Sequence, residues 1–284
     1  MLRAVELETS GRGGVSPQKS SWNITGAGVD VSFPVTPHRG EKEQISAFGL
    51  GGARASAVRY GDGENDVLDL LAGSTVNCEK VELCCHGNGT HTEGIGHIVK
   101  ERISVLSCKV PFMCLALVVS VTGVQADGED SDEIISEQAL EQACAIFTEE
   151  QVNAADALVV RTLGKYEPDS NRGRNYSGTN PPYFSQNCMH YMVQNLGVKH
   201  LMVDLPSVDK EQSGSTVPNH AIFFGIEPGC TSAEHSKRKD CTITELANLH
   251  AGLQDGLHLL SLQVAPIEMD AAPSRPILYP CTAT

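Results

Sequence analysis

The chain has 284 residues, of which 40% are apolar, 21 are Lys or Arg and 35 are Asp or Glu, so its formal net charge is -14. This length and apolar content are enough to bury the core of one large domain or of two ordinary ones. The acidic excess argues against nucleic acid and against a membrane surface as partners, because both attract basic proteins.

The amino-terminal segment 1–28 contains much Gly, Ser and Pro, and it carries Glu6 and Glu8 where a secretory signal would have an apolar core. It predicts a flexible tail ahead of a single domain over 29–284. The most apolar run, 110–121, is far shorter than the roughly 20 residues of a membrane span. The ten cysteines are scattered without any C-x-x-C pair, which favours reduced thiols and a cytoplasmic location.

Short segments rich in apolar or β-branched residues predict most of the strands. They are 29–35, 56–60, 81–85, 110–121 and 157–162. A helical pattern over 184–196 ends at Gly197, and a strand pattern over 198–205 follows. With 157–162 these two segments form a β-α-β unit.

Several other segments complete the pattern of elements. The acidic segment 123–138 predicts a solvated loop that leads into a helix over 137–145, and 227–240 predicts a surface excursion. Segment 242–253 predicts a short helix. Since no linker divides the chain near its middle, the sequence favours one α/β domain with a mixed sheet.

Segment 85–98 reads CHGNGTHTEGIGHI and brings His86, His91, Glu93 and His97 within twelve residues. A single histidine in such a turn would more often cap the backbone or face water. Three histidines with one carboxylate favour a metal site, because imidazole and carboxylate ligands suit zinc, manganese or iron. The intervening glycines allow the backbone to curl until these side chains converge.

This segment resembles the signature H-x-G-T-H-x-D of the cyclase family of metal-dependent hydrolases, which includes bacterial kynurenine formamidases and isatin hydrolases. Residues 89–91 carry the G-T-H core, Glu93 stands in place of the aspartate, and His97 stands in place of the catalytic histidine. His86 precedes His91 by five residues instead of four, because HGNGTH holds one residue more than the signature.

Later segments resemble the same family in the same order. Residues 30–32 are similar to its opening D-I-S strand, and 197–209 to its G-V-x-x-x-x-x-D-x-x-S-x-D segment. His220 in NHAIFFG and Glu245 in TITELANL match residues that serve the metal site in family members. The segment IEMDAAPSRPI is similar to the family's terminal G-A-D-G-S-P-x-R.

The resemblance implies a single mixed-sheet domain of the kynurenine formamidase-like, swivelling β/β/α type. It implies a divalent ion, Zn or Mn, held by His86, His91, Glu93, His220 and Glu245. It assigns His97 as a catalytic residue off the metal, with Glu245 as a second catalytic residue. The implied activity is hydrolysis of an amide, either an arylformamide or a cyclic amide, by metal-activated water. The implied partners are a small-molecule substrate and a second copy of the chain in a homodimer.

Other interpretations of the same residues stay open at this point. Glu245 follows Thr242 by three residues, which is also the pattern of a helix capping box. His220 would more often be a hydrogen-bonded histidine at the end of a strand. Cys84 and Cys85, beside the cluster, are more often buried structural thiols than nucleophiles. The alternative functions are a non-catalytic protein of the same fold that binds a metal or small ligand, and a lyase or cyclase that acts on a carbonyl substrate.

Overall fold

The computed structural model describes residues 4–9, 18–40, 43–63, 66–125, 132–164, 173–212, 216–227 and 229–284. The strands are β1 (Val5–Thr9), β2 (Gln18–Ile24), β3 (Val29–Asp30), β4 (Arg54–Ala57), β5 (Glu79–Glu82), β6 (His91–Glu93), β7 (Cys114–Thr122), β8 (Val124–Gln125), β9 (Glu133–Ile135), β10 (Ala157–Leu163), β11 (Tyr183–Phe184), β12 (His200–Val203), β13 (Thr242–Glu245), β14 (Gly256–Val264) and β15 (Ala271–Ala283). The helices are α1 (Glu137–Cys144), α2 (Glu149–Ala154), α3 (Gln186–Gln194) and α4 (Pro218–Phe224).

Seven strands of mixed direction close into a barrel in the order β15, β14, β7, β10, β12, β13, β6, and β6 pairs again with β15. The central strands β7, β10, β12 and β13 are parallel. Parallel neighbours need crossover connections, and the four helices lie in these connections. The predicted single α/β domain with a mixed sheet is therefore confirmed.

The side chains of β7 alternate between two buried cores. Leu115, Leu117 and Val119 pack in the larger core, which includes residues of α1, α3 and α4. Ala116 and Val118 pack in the second core on the opposite face of the strand. The sequence of a strand that is buried on both faces is a nearly continuous run of apolar residues, and segment 110–121 is such a run.

The β-α-β prediction is also confirmed. Strands β10 and β12 are parallel neighbours in the sheet, and α3 connects them. Ser185 begins α3, because its side chain accepts a hydrogen bond from the backbone N–H of Cys188. The predicted helix over 137–145 is α1, which Ser136 caps in the same manner.

The amino-terminal segment differs from the predicted flexible tail, because its described residues form strands. β1 and β2 form an antiparallel pair, and β2 pairs with the end of β15. Trp22 is 4% exposed and belongs to the larger core, with Val5 and Leu7 packed beside it. In 4–9 and 18–24 apolar residues alternate with polar ones, which is the pattern of a strand with one buried face. Residues 10–17 lie outside the described part of the chain.

The predicted helix over 242–253 is wrong, because 242–245 form strand β13 between β12 and β6. The three consecutive β-branched residues of TITE and the burial of the whole segment favour a strand over the helix that the capping-box pattern predicts. Leu246 follows with a φ of 52°, a left-handed conformation that ends the strand. The strand-end interpretation of His220 is wrong as well, since this residue lies in α4 with Pro218 at the first turn.

Smaller differences concern the segments outside the barrel. β5 pairs with β4 in a separate two-stranded sheet instead of joining the barrel. The acidic segment 123–138 contains the short strands β8 and β9, and 126–131 lie outside the described residues. None of the described helices has the length and apolar content that crossing a membrane requires.

Candidate metal centre

The centre of the site is strand β6, which carries His91 and Glu93 on one face. In the antiparallel pairing of β6 with β13, His91 stands directly opposite Glu245. Opposed residues of antiparallel strands bring their side chains together, and His91 Nε2 lies 3.5 Å from Glu245 Oε2. All three side chains are almost fully buried. His91 Nδ1 contacts the carbonyl oxygen of Gly89 at 3.1 Å, which turns Nε2 toward Glu245.

His86 reaches Glu93 from a turn that follows β5. Its Nδ1 lies 3.2 Å from Glu93 Oε2. The turn is fixed by Asn88, whose side chain accepts from the N–H of Cys84 and donates to the carbonyl of Gly51. The extra residue of HGNGTH is therefore accommodated in a hydrogen-bonded turn, and His86 still arrives at the cluster.

His97 ends the one-turn 3-10 helix Ile95–His97, directly after β6. Its Nε2 lies 3.8 Å from Glu93 Oε2. The ring stacks on that of His86, with centroids 4.2 Å apart. Its side chain is 28% exposed, in contrast to the buried His91, so a small molecule can reach it.

His220 approaches Glu93 from the opposite side, on helix α4. Its Nε2 lies 2.9 Å from Glu93 Oε1 and 3.6 Å from Glu245 Oε1. Its Nδ1 contacts Asp209 Oδ2 at 2.7 Å. Asp209 also accepts from the backbone N–H groups of Asn219 and His220, so it fixes the first turn of α4 as well as the ring.

The structure thus brings together every residue that the sequence analysis proposed for the site. They are His86, His91, Glu93, His97, His220 and Glu245. Ligand atoms of His86, Glu93 and His97 lie within 4.8 Å of one another, and so do those of His91, Glu93 and Glu245. Glu93 belongs to both groups. His97, which the sequence analysis placed off the metal, is therefore close enough to Glu93 to be a ligand itself.

The donor set fits a metal ion. Both carboxylate oxygens of Glu93, His91 Nε2 and His220 Nε2 are buried, and none has a well-aligned hydrogen-bond partner among the described residues. A buried polar atom without such a partner costs about 1–3 kcal/mol, so several in one place require compensation. A cation held by either group of ligands that contains Glu93 would partner the Glu93 oxygens. Imidazole nitrogen with carboxylate oxygen is a set that zinc and manganese accept.

The electrostatics of the site show ionised carboxylates that attract positive charge. Burial opposes ionisation of Glu93, but the charges of His97 and His220 outweigh it and hold the pKa of Glu93 well below its ordinary value. Burial likewise opposes the charged form of His86, but its hydrogen bond to Asp270 and the nearby Glu93 raise its pKa to about 10. Protons or a metal cation can supply this positive charge, and the two compete for the same nitrogens.

Two acidic residues of the site were missed by the sequence analysis, which gave Asp209 no site role and did not single out Asp270. Asp270 Oδ2 lies 3.0 Å from His86 Nε2 and 3.3 Å from His97 Nδ1. The only available signal was its place in the IEMDAAPSRPI segment. Cys85 does not supply a nucleophile, because burial and the nearby Cys84 and Asp270 raise its thiol pKa to about 11.

A cavity of about 560 Å³ opens beside His86 and Asp270. Its walls come from the segment that includes β5 and from the residues before β15. Four of the wall side chains are apolar and exposed, namely Val81, Leu83, Ile267 and Met269. Of the proposed site residues His86 lines this space, which is large enough for a small molecule with an apolar part.

Comparison with protein families matches residues 28–210 to the family described as "Putative cyclase". Solved structures share the fold at low sequence identity. A predicted metal-dependent hydrolase from Bacillus stearothermophilus is 13% identical with a TM-score of 0.54, over 89% of this chain and 98% of the other. Isatin hydrolase A from Labrenzia aggregata, bound to benzyl benzoate, is 13% identical with a TM-score of 0.54. This match covers 91% of this chain and 94% of the other. A crystal structure described as a novel cyclase is 13% identical with a TM-score of 0.57, over 90% of both chains. No curated protein matches the chain.

Proposed function

The chain belongs to the cyclase family, and from this premise and the geometry of the site we propose that it is a metal-dependent hydrolase that cleaves an amide bond. The observation that carries the proposal is the convergence of buried ligand atoms from Glu93, His91 and His220, which lack well-aligned hydrogen-bond partners among the described residues. His86, which contacts Glu93, lines a cavity of about 560 Å³. Burying such a cluster of polar and charged groups destabilises the folded state unless the cluster binds a cation.

The proposed ligands are His86, His91, Glu93, His220 and Glu245, and the proposed ion is Zn or Mn. A bound divalent ion would supply Lewis acidity, which lowers the pKa of a bound water and polarises a carbonyl group. Hydrogen-bond acceptors outside the cluster contact the second ring nitrogen of the ligand histidines and hold the rings in place. Metal-binding histidines usually donate their other N–H to such an acceptor.

His97 is the proposed proton carrier. Its ring is the most exposed of the four imidazoles in the cluster, and its Nδ1 is held by Asp270. Its Nε2 can therefore accept a proton from attacking water and donate it to the leaving nitrogen. A positioned general acid-base group of this kind contributes about 10²- to 10⁴-fold in rate. In this proposal Glu245, which also accepts from the N–H of Val208, has a dual role as ligand and catalytic residue.

The proposed substrate is an arylformamide or a cyclic amide. The apolar side chains Val81, Leu83 and Met269 would contact the aromatic part, and the amide would be directed toward His86, the proposed ligand that lines the cavity. The isatin hydrolase among the structural neighbours acts on a cyclic amide, as its name states, and it shares only the fold at 13% identity. The cavity supports the proposed class without selecting one member of it.

The test is hydrolysis by zinc- and manganese-loaded protein of N-formylkynurenine, isatin and an aryl lactone, with Glu93→Gln as the inactive control. Turnover of either amide by the wild type and its loss in the variant support the proposal. Turnover of the lactone alone would contradict the amide assignment. Metal binding without any turnover would indicate a non-catalytic binding protein, and a rearranged product without addition of water would indicate a lyase or cyclase.

We also propose a cytoplasmic location and a homodimer. All ten cysteines are free, which is typical of proteins in a reducing compartment. The described residues of 54–83, which include β4 and β5, expose several large apolar side chains, of which Leu71 is 98% exposed. An exposed apolar patch of this kind is typical of a protein interface.

A further inference from the structure

Asp270 lies between two imidazoles of the site and touches both through the same oxygen. Asp270 Oδ2 is 3.0 Å from Nε2 of His86 and 3.3 Å from Nδ1 of His97. An ionised carboxylate is an acceptor only, so each of these nitrogens carries a hydrogen and donates it.

The backbone around Asp270 is tied to the sheet. Its carbonyl oxygen accepts from the N–H of Gly94, and the preceding Met269 carbonyl accepts from Val105. The next residue, Ala271, pairs with Glu93 across β15 and β6. Asp270 is therefore fixed relative to Glu93 by the register of two barrel strands.

The two imidazoles lack comparable support of their own. His86 lies in a turn and His97 ends a single 3-10 turn, and both side chains are partly exposed. The remaining nitrogen of each ring points toward Glu93 Oε2, at 3.2 Å for His86 Nδ1 and 3.8 Å for His97 Nε2. Because Asp270 takes one nitrogen of each ring, it determines which nitrogen faces the cluster.

We propose that Asp270 is a positioning residue, whose single oxygen holds His86 and His97 in one orientation and directs the opposite nitrogen of each ring toward Glu93. Asp209 supports His220 in the same manner from the other side, through Nδ1. The site is then built from Glu93 at the centre and two outer carboxylates that orient three of its histidines. Asp270 does not need to touch the substrate to act.

The orientation rests on the contacts alone, whereas its value for metal binding rests on the proposed function. A metal ligand or a proton acceptor must present a bare nitrogen, so on metal binding the nitrogen that faces Glu93 gives up its hydrogen and the nitrogen held by Asp270 keeps its own. Loss of an outer partner of this kind typically reduces metal affinity or activity about 10- to 100-fold.

The first test is nitrogen NMR of metal-free protein labelled with ¹⁵N-histidine, at about pH 8.5, two units above the ordinary histidine pKa of about 6.5. The His97 signal is identified by its absence in His97→Ala. We expect His97 in the Nδ1–H form in the wild type and a shift to the Nε2–H form in Asp270→Ala. Asp270→Leu, which has similar size and no acceptor, repeats the test should the alanine variant fail to fold. Glu268→Gln, an exposed neighbour, is the control and should match the wild type.

The second test is zinc affinity by competition with a chromophoric chelator. We expect Asp270→Ala and Asp270→Leu to bind zinc about 10- to 100-fold more weakly than the wild type and Glu268→Gln. The proposal is overturned if His97 keeps the Nδ1–H form in a folded variant without the carboxylate. Should the wild type bind no zinc, the proposed function fails, and the NMR result still decides the role of Asp270.

Discussion

Glu93 is the residue on which the site converges. It is fully buried, and its two oxygens face His220 on one side and His86 and His97 on the other. A buried carboxylate is destabilising unless it is paired or binds a cation. The surrounding histidines are in turn held by Gly89, Asp209 and Asp270, so their inward nitrogens are directed at the same small volume.

We expect His97→Ala to lower kcat by about 10²- to 10⁴-fold without loss of bound metal, because the proposed role of His97 is proton transfer. The measurement is turnover and metal content on the same preparation. The matched control is His235→Ala, an exposed histidine outside the cluster, which should retain the wild-type activity. Loss of metal from His97→Ala would show instead that His97 is a ligand.

Asp204 gives a prediction on pH-dependent stability. Burial raises its pKa to about 7, although Oδ2 accepts from the N–H of Thr162. Between about pH 4 and pH 7 the folded state therefore holds a proton that the unfolded state has released. The contribution of this group to stability is present at low pH and is lost as the pH rises through about 7.

We expect the stability of the wild type relative to Asp204→Asn to fall by about 2–3 kcal/mol between pH 5 and pH 8. Urea unfolding of both proteins at several pH values measures this difference. Asp62→Asn, at an exposed loop position, is the control and should show no such trend. A difference between wild type and Asp204→Asn that stays constant with pH would contradict the assignment.

At the scale of elements, the β1 and β2 hairpin is part of the core rather than an accessory segment. Trp22 on β2 is 4% exposed and its Nε1 donates to Ser20 Oγ. We expect Trp22→Ala to reduce the free energy of unfolding by about 3–5 kcal/mol, the usual cost of removing a buried aromatic side chain. Chemical unfolding followed by circular dichroism measures the change.

Tyr60→Ala is the matched control, because this aromatic side chain is 65% exposed. It should change stability by less than about 0.5 kcal/mol. A Trp22→Ala protein as stable as the wild type would restore the interpretation of this segment as a flexible tail.

The sequence predicted the elements whose signal is local. β7, β10, α1 and α3 follow from apolar runs and caps that lie within the segments themselves. β13 was not predicted, because T-x-x-E is a helix signal locally, while burial between β12 and β6 makes it a strand. The hairpin of β1 and β2 was missed because Gly, Ser and Pro around it suggested disorder.

The candidate site likewise combines residues that are close in sequence with residues that only the fold brings together. His86, His91, Glu93 and His97 lie in one segment and could be predicted together. Asp270 is 184 residues from His86 in the chain, and only the pairing of β15 with β6 brings it to the cluster. His220 and Glu245 were predicted from family resemblance, because nothing near them in sequence indicates a ligand.

At the scale of the whole molecule, the main sheet closes into a barrel, but the described residues of 54–83 form a unit that lies outside it. Strand β5, which contains Val81, is exposed throughout, and Leu71 of the same unit is exposed as well. This patch borders the cavity, since Val81 belongs to both. A second copy of the chain that covers the patch would also narrow the cavity entrance.

We expect light scattering after size-exclusion chromatography to give twice the mass of one chain, and Leu71→Asp to shift the protein toward the monomer. Burying a charge at an apolar interface without a partner is costly, which is the reason for the shift. Ile146→Asp is the control, because Ile146 is 60% exposed outside the unit 54–83. A wild-type monomer, or equal effects of both substitutions, would contradict the proposed interface.

The central claim is that Glu93 and the histidines around it bind a divalent ion. The most direct measurement is equilibrium dialysis of the wild type and Glu93→Gln against zinc and against manganese, with the bound metal determined by mass spectrometry. We predict at least one tightly bound ion per wild-type chain and much weaker binding by folded Glu93→Gln, which lacks the central carboxylate. A folded wild-type protein that retains neither metal, or a variant that binds as tightly as the wild type, would contradict the claim.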